Sequence, residues 1–178
     1  RLDYEIQIMR IANHKNIIKC YNFLRTKENY FMVLDYCDGG DLASMMQKQH
    51  IKVMKEGKAV LYLKQIMNGF QCLNMLKVFH RDFKLDNIFV KQGTLVIGDF
   101  GCATAGSDLA KTIQGIGTPP TTAPELLGAV TSTTGYSSLS DIWSIGTVFY
   151  RLLFGEYPFG NDVMELLKRI DVSSGRPF

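Results

Sequence analysis

Long hydrophobic runs and clusters of one charge are both scarce in this 178-residue sequence. The longest apolar run, residues 142–154, is interrupted by Arg151 and is too short to span a bilayer. The formal net charge is only +3, and the basic residues form no extended run. The sequence therefore indicates no membrane span, and it lacks the basic patch that is typical of nucleic-acid binding.

Cysteine is also sparse, and no two cysteines form a C-x-x-C pair. This spacing argues against a zinc site and against a disulfide framework. Reduced thiols suit the cytoplasm or the nucleus, and we expect the protein to act there. The four cysteines are Cys20, Cys37, Cys72 and Cys102.

The remaining composition is that of one soluble globular domain or part of one, with 46% hydrophobic and 21% charged residues. No basic-then-apolar leader opens the sequence, so we expect no secretory signal in it and expect that Arg1 is not the native start.

Hydrophobic periodicity predicts both helices and hairpins. Residues 142–154 are predicted to form a buried helix, because the segment is apolar on all sides and Ser140-Asp141 can cap its start. The Thr-, Gly- and Ala-rich stretch 102–122 is predicted to be a functional loop. The other predicted elements are helices near 2–11, 42–47, 56–76 and 162–170, and hairpins of 17–24 with 30–34 and of 88–90 with 95–97.

Chemically useful side chains are concentrated in residues 80–87 and in a second stretch that begins at Asp99. Together they place two carboxylates (Asp82 and Asp99), a cation (Lys84) and an amide oxygen (Asn87) on loops that flank one predicted hairpin. Such a set suits metal-bound phosphate, because Mg²⁺ prefers oxygen ligands. Any one of these residues alone would be explained by turn or capping hydrogen bonds, but the whole set would not.

The order and spacing of these segments resemble the eukaryotic-type protein kinase domain, with Phe83 where the family most often has Leu. Lys84 is typical of the Ser/Thr type. The segments that carry the resemblance are His-Arg-Asp-Phe-Lys-Leu-Asp-Asn at 80–87, Asp-Phe-Gly at 99–101, Gly-Thr-Pro at 117–119, Ala-Pro-Glu at 123–125 and Asp-Ile-Trp-Ser-Ile-Gly at 141–146.

The resemblance implies an α+β, protein-kinase-like fold with a mostly helical large lobe and a remnant of the small lobe, consisting of one helix and a β-hairpin. Residues 1–34 would end the small lobe, 35–41 would form the hinge, and 42–178 would form an incomplete large lobe.

The resemblance also implies the catalytic roles. Asp82 would accept and orient the proton of a substrate hydroxyl, and Lys84 would lie near the transferred phosphate. Asn87 and Asp99 would bind Mg²⁺, and Thr118 would position Asp82 and Lys84.

An ATP site is implied next to this machinery. The backbone of Asp35 and Cys37 would meet adenine, Asp41 would contact the ribose, and Phe89 would form the floor of the pocket. Glu5 occupies the helix position that pairs with a strand lysine in the family.

Three further residues have supporting roles by the same resemblance. Asp141 would be buried and bonded to the backbone of the catalytic loop (residues 80–87), and His80 would be packed in the core. Arg81 would pair with a phosphorylated activation loop.

Two positions depart from the family pattern. Gln114 stands four residues before Thr118, where many relatives carry an activating Ser or Thr, so Thr112 or Thr104 would have to serve or phosphorylation is not used. Thr121 stands where the family commonly has Tyr, which leaves the peptide preference open.

A kinase also needs a Gly-rich loop and a strand lysine. No residue precedes Arg1 in this sequence to provide either feature. We therefore expect a fragment of a Ser/Thr kinase that uses Mg-ATP to phosphorylate a protein hydroxyl. The alternatives are a catalytically inactive, pseudokinase-like binding or scaffold module, and a metal- or nucleotide-binding hydrolase unrelated to kinases. We expect the isolated piece to be poorly stable because its small-lobe elements would expose apolar edges.

Subfamily placement depends on the segment 157–170, which is similar to calmodulin-kinase-like and autophagy-initiating kinases. The sequence leaves the protein substrate and the oligomeric state open.

Overall fold

A computed structural model describes residues 2–106, 117–127 and 136–169, apart from the side chains of residues 2–4 and 163. None of the helices in this part of the chain has the length and apolar character that a membrane crossing demands. The helices are α1 (Leu2–Ile11), α2 (Leu42–Lys48), α3 (Glu56–Met75), α4 (Ser138–Phe154) and α5 (Val163–Arg169).

The strands form three antiparallel pairs, and the mixture of helices and strands confirms the α+β prediction. Both predicted hairpins are present, but the first begins three residues later than predicted because Ile17 and Ile18 pair with Ile97 instead. The pairs are β1 (Cys20–Arg25) with β2 (Tyr30–Leu34), β3 (Val78–Phe79) with β6 (Thr104–Ala105), and β4 (Ile88–Lys91) with β5 (Thr94–Ile97).

Helix α3 packs against the β4–β5 hairpin, mainly through strand β5. Its buried side chains recur every three or four residues, which is the period of a one-sided apolar helix. Gly69 allows the close approach, because a Cβ at this position would lie 2.6 Å from Ile97 Cδ1 and 2.8 Å from the Asn16 carbonyl oxygen. Gln65 Oε1 also accepts a hydrogen bond from the Leu95 amide at 2.7 Å. The hairpin is thereby fixed against the core.

Helix α4 begins earlier than predicted. Ser137 is its N-cap and forms a capping box with Ser140, so the predicted Ser140-Asp141 cap was wrong and Asp141 lies within the first turn. The prediction that residues 142–154 are buried on all sides was also wrong, since Ile142 and Phe154 are 43% and 59% exposed. The apolar pattern could not distinguish the buried face from the exposed one.

The predicted loop 102–122 is only partly irregular. Strand β6 lies near its start, and a 3-10 turn spans Pro119–Thr121 near its end. Thr112 and Gln114 lie outside the described residues, so their predicted roles are not addressed. Thr104 is a half-buried residue of β6 that pairs with Phe79.

The β1–β2 hairpin exposes apolar side chains, among them Tyr21, Leu24, Phe31 and Val33, which are 58%, 52%, 52% and 46% exposed. Exposed apolar side chains of this kind are the reason why we expect the isolated piece to be poorly stable. The low stability stays a prediction. The division into small lobe, hinge and large lobe at residues 34 and 41 likewise stays a prediction.

Candidate active site

Asp82 is the centre of a dense set of hydrogen bonds and is only 8% exposed. Its Oδ1 accepts a bond from Thr118 Oγ1 at 2.8 Å. Its Oδ2 accepts bonds from Asn87 Nδ2 at 3.0 Å and from Lys84 Nζ at 2.9 Å. Four of the five predicted catalytic residues therefore lie in direct contact.

Lys84 bonds both to Asp82 and to Thr118. Its Nζ also donates to Thr118 Oγ1 at 3.1 Å, which closes a ring of three bonds around the Asp82 carboxylate. Burial alone would lower the pKa of Lys84, but its hydrogen bond to Asp82 and the charges of Asp86 and Asp99 raise it above the usual 10.5. Lys84 is thus a permanent cation beside the carboxylate.

The second hairpin brings Asp99 to this ring. The Gly98 amide donates to the Asn87 carbonyl oxygen at 3.0 Å, so the two ends of the β4–β5 hairpin are tied together. Asp99 itself adopts a left-handed backbone with φ of 58°, which Asp tolerates better than most residues. Its Oδ1 accepts a bond from the Gly101 amide at 3.2 Å.

The residues predicted to bind Mg²⁺ fit that ion chemically. Asn87 uses its amide nitrogen for both the carboxylate and the carbonyl oxygen of Asp82, and its amide oxygen is the atom left to meet a cation. Asp99 contributes a carboxylate oxygen, and two hard oxygen ligands suit an ion that completes its shell with phosphates and water. Within the described ranges, no group of three His, Cys, Asp or Glu side chains could hold a metal on its own.

Glu5 also faces this region. Burial raises the pKa of Glu5 above its usual 4.5, and the nearby carboxylate of Asp99 raises it further. Two acidic groups that repel each other would both be stabilised by a cation placed between them.

The backbone of the catalytic loop is fixed by hydrogen bonds to the Asp141 carboxylate. Its Oδ2 accepts a bond from the His80 amide at 2.9 Å, and its Oδ1 accepts bonds from the Arg81 amide at 3.0 Å and the Tyr136 hydroxyl at 2.5 Å. Burial raises the pKa of Asp141 despite these donors. The sequence predicted the role of Asp141 but not that of Tyr136. Tyr136 precedes the Ser137 cap, and a side chain at that position commonly contacts the fourth residue of the helix, which here is Asp141.

His80 is a core residue, as expected. It has no exposed surface, its Nε2 lies 3.0 Å from the Gly98 carbonyl oxygen, and its ring centroid lies 4.5 Å from Phe83 and 5.2 Å from Phe100. Arg81 Nε donates to the Cys102 carbonyl oxygen at 2.6 Å, and its pairing with a phosphorylated loop stays a prediction.

Two of the predicted nucleotide residues, Asp35 and Asp41, contact strand β4. Asp41 pairs with Phe89 through an isolated antiparallel bridge, and its side chain caps α2 by accepting from the Ser44 amide at 2.7 Å. The Asp35 carboxylate accepts bonds from Lys91 at 2.6 Å and from the Tyr21 hydroxyl at 2.8 Å.

Two backbone groups of the predicted hinge already form hydrogen bonds within the protein. The Asp35 amide donates to the Lys19 carbonyl oxygen at 2.9 Å, and the Cys37 carbonyl oxygen accepts from Gly40 at 3.0 Å. Burial raises the pKa of the half-buried Cys37 thiol, and Asp35 adds to that effect. The contacts that these residues would make with a nucleotide stay predictions.

A hairpin that joins a buried aspartate, a lysine and an asparagine to an Asp-Phe-Gly turn defines the catalytic core of a protein kinase. A family model for the protein kinase domain matches residues 1–174, and the chain belongs to that family.

Relatives with curated names are serine/threonine-protein kinases. The chain is 35% identical over 161 residues to serine/threonine-protein kinase PLK2 of Rattus norvegicus, covering 89% of this chain and 23% of that protein. It is 35% identical over 177 residues to the probable cell cycle serine/threonine-protein kinase CDC5 homolog of Encephalitozoon cuniculi, covering 98% of this chain and 37% of that protein.

A third relative is serine/threonine-protein kinase Nek5 of Homo sapiens, 33% identical over 172 residues, with 93% of this chain and 23% of that protein covered. The chain thus spans between 23% and 37% of the length of these three relatives. None of the three has a calmodulin-kinase or autophagy name, and the subfamily placement stays a prediction.

Proposed function

We propose that the protein transfers the γ-phosphate of ATP to a Ser or Thr hydroxyl of a protein substrate. The observation that carries the proposal is the bonded ring of Asp82, Lys84 and Thr118, to which Asn87 is also tied. These bonds use side chains from two distant segments, and a loop shaped only by local turns would not need them. The free state of all four cysteines supports a cytoplasmic or nuclear location.

Asp82 orients the acceptor in this reaction. The substrate oxygen attacks the γ-phosphorus, the bond from that phosphorus to the bridging oxygen of ADP breaks, and the hydroxyl proton passes to the Asp82 carboxylate. Because three side chains fix that carboxylate, its orientation requires no reorganisation when the acceptor arrives.

Charge neutralisation is the second requirement. Lys84 places a permanent positive charge within 2.9 Å of the catalytic carboxylate, and its own raised pKa keeps that charge at every physiological pH. Asn87 and Asp99 would hold Mg²⁺, which would neutralise the phosphate oxygens when bound.

Radiolabelled ATP and a Ser-containing test protein would test the proposal in the natural full-length protein. Wild type should label Ser or Thr, and Asp82→Asn should remove the label while leaving nucleotide binding intact. Asp162→Asn is the matched control, because Asn caps a helix as well as Asp does and Asp162 lies at the exposed start of α5.

Two results would contradict the proposal. Label that persists in Asp82→Asn would place the chemistry elsewhere. Binding of the test protein without any labelling would instead support the alternative of a non-catalytic, pseudokinase-like module.

A further inference from the structure

A cavity lined by Leu85 lies next to the catalytic loop but is not used by the chemistry above. It has a volume of about 630 Å³, within the range of pockets that bind ligands. Leu85 contributes one wall, and it directly follows Lys84. The other walls come from α2, the segment before α3, and the end of α4.

Close backbone contacts fix the shape of this cavity. The Met54 amide donates to the Leu152 carbonyl oxygen at 2.8 Å. Gly155 ends α4 with a left-handed φ of 78°, and a Cβ there would lie 2.8 Å from the Lys52 carbonyl oxygen. Segment 52–54 is therefore held directly against the end of α4.

The charges around the cavity are of one sign. Lys52 and Arg151 both line it, and no acidic side chain is among the described residues that do so. The adjoining segment 48–58 carries four lysines and a single glutamate. Apolar side chains complete the lining, including Val53 and Phe154, which are 56% and 59% exposed. A ligand that complements the two cations carries a negative charge.

The cavity adjoins the active site through Leu85 and Arg151. Arg151 lies over the ring of Tyr157, 5.4 Å from its centroid. Burial raises the pKa of Tyr157, and the charges of Arg151, Asp86 and Lys84 also act on it. Tyr157 is therefore in contact with one cavity residue, Arg151, and within electrostatic range of Lys84. Leu85, which lines the cavity, is three residues after Asp82, so roughly 11 Å of chain at most separates them, and a few residues of extended peptide span that distance.

We propose that this cavity, the Lys52–Arg151 subsite, binds an aspartate or glutamate side chain of the protein substrate close in sequence to the phosphorylated residue. The proposal deepens the proposed kinase function, on which it rests. It assigns the two cations to substrate selection: an acidic flanking residue forms ion pairs there, whereas a basic one meets like charge.

The test uses the natural full-length protein and a Ser peptide series with Asp, Ala or Lys at each flanking position in turn. Peptide binding without ATP is measured by fluorescence anisotropy, and kcat/KM is measured with ATP. At one or two positions, Asp should improve both quantities about tenfold over Lys, consistent with two partly desolvated charges. Binding equal for Asp, Ala and Lys at all positions would overturn the subsite.

Charge reversals separate the subsite from the general surface potential. Lys52→Glu and Arg151→Glu should each reduce the preference for Asp about fivefold. Lys64→Glu is the control, because Lys64 is an exposed lysine of α3 that does not line the cavity. Lys52 is itself exposed, so its reversal should leave folding intact even where a change at Arg151 disturbs the Tyr157 contact. An equal effect of all three reversals would overturn the assignment.

The two measurements distinguish failure of the inference from failure of the proposed function. Phosphate transfer without any preference for Asp would overturn the subsite alone. Asp-dependent binding without transfer would support the subsite and overturn the kinase activity.

Discussion

Thr118 provides a sharp test of how the active site is positioned. Its hydroxyl donates to Asp82 Oδ1 at 2.8 Å and accepts from Lys84 Nζ at 3.1 Å. Thr118→Val keeps the shape of the side chain and removes both bonds. Hydrogen bonds to charged groups are worth about 1.5–3 kcal/mol, and 1.4 kcal/mol is a factor of about ten. The carboxylate keeps its other donors, so we expect kcat to fall about tenfold to a hundredfold.

Initial rates with saturating ATP and peptide would measure this loss. The KM for ATP should change little, because the Thr118 hydroxyl bonds the two residues predicted to face the acceptor. Thr118→Ser should restore most of the rate by returning the hydroxyl. Thr94→Val is the matched control, since Thr94 lies at the turn end of β5, far along the hairpin from Asp82.

A double-mutant cycle with Lys84→Ala would show whether the ring acts as a unit. Residues in one hydrogen-bond network are not additive, so the double variant should lose less than the product of the two single losses. Full additivity, or a Thr118→Val rate within twofold of wild type, would refute the positioning argument.

Three further predictions concern the supports of the site. Asp141→Asn should destabilise the protein by about 2 kcal/mol in urea unfolding, because its amide group would face a buried backbone donor such as the His80 amide. Burial alone would raise the pKa of Asp35, but its hydrogen bonds to Lys91, Tyr21 and the Lys19 amide lower it below 3.8. The stabilisation from Asp35 is therefore present above pH 3.8 and is lost as the pH falls through the lower folded-state pKa, so Asp35→Asn should lower Tm at neutral pH and have progressively less effect in acid. Gly69→Ala should cost about 1–3 kcal/mol by overpacking, whereas Gly57→Ala, at an open position of the same helix, should be neutral or stabilising by up to about 1 kcal/mol.

The contradicting outcomes are equally direct. An unchanged unfolding curve for Asp141→Asn would mean that the loop does not depend on that carboxylate. A Tm loss for Asp35→Asn that is the same in acid would exclude the ion pair as its cause. Equal effects at the two glycines would show that the contact with Ile97 does not limit the packing.

Much of the site could be predicted because its chemistry is concentrated in two short segments. Asp82, Lys84 and Asn87 lie within six residues, and the hairpin that returns the chain to Asp99 has clear strand propensity. Thr118 could not have been placed by spacing alone, since 34 residues separate it from Lys84. Its contact was expected only through the resemblance to a family.

Other features were beyond sequence reasoning for physical reasons. The start of α4 was misplaced because serines at 137, 138 and 140 can each cap a helix, and only the geometry selects Ser137. The Lys52–Arg151 subsite joins a loop before α3 to the end of α4, and nothing local in either segment indicates the other. Hydrophobic periodicity reports which face of a helix is apolar and does not report which apolar residues stay exposed.

Helix α4 explains how so many distant residues hold one geometry. Three side chains in its first two turns each bind a different segment: Ser140 Oγ donates to Glu125 Oε1 at 2.6 Å, Asp141 holds the catalytic loop, and Ser144 Oγ donates to the Thr121 carbonyl oxygen at 2.7 Å. The Thr121 amide in turn bonds the Thr118 carbonyl oxygen at 2.9 Å. Since one rigid helix positions both the loop of Asp82 and the turn of Thr118, their 2.8 Å contact is set by the helix and not by the flexibility of either loop.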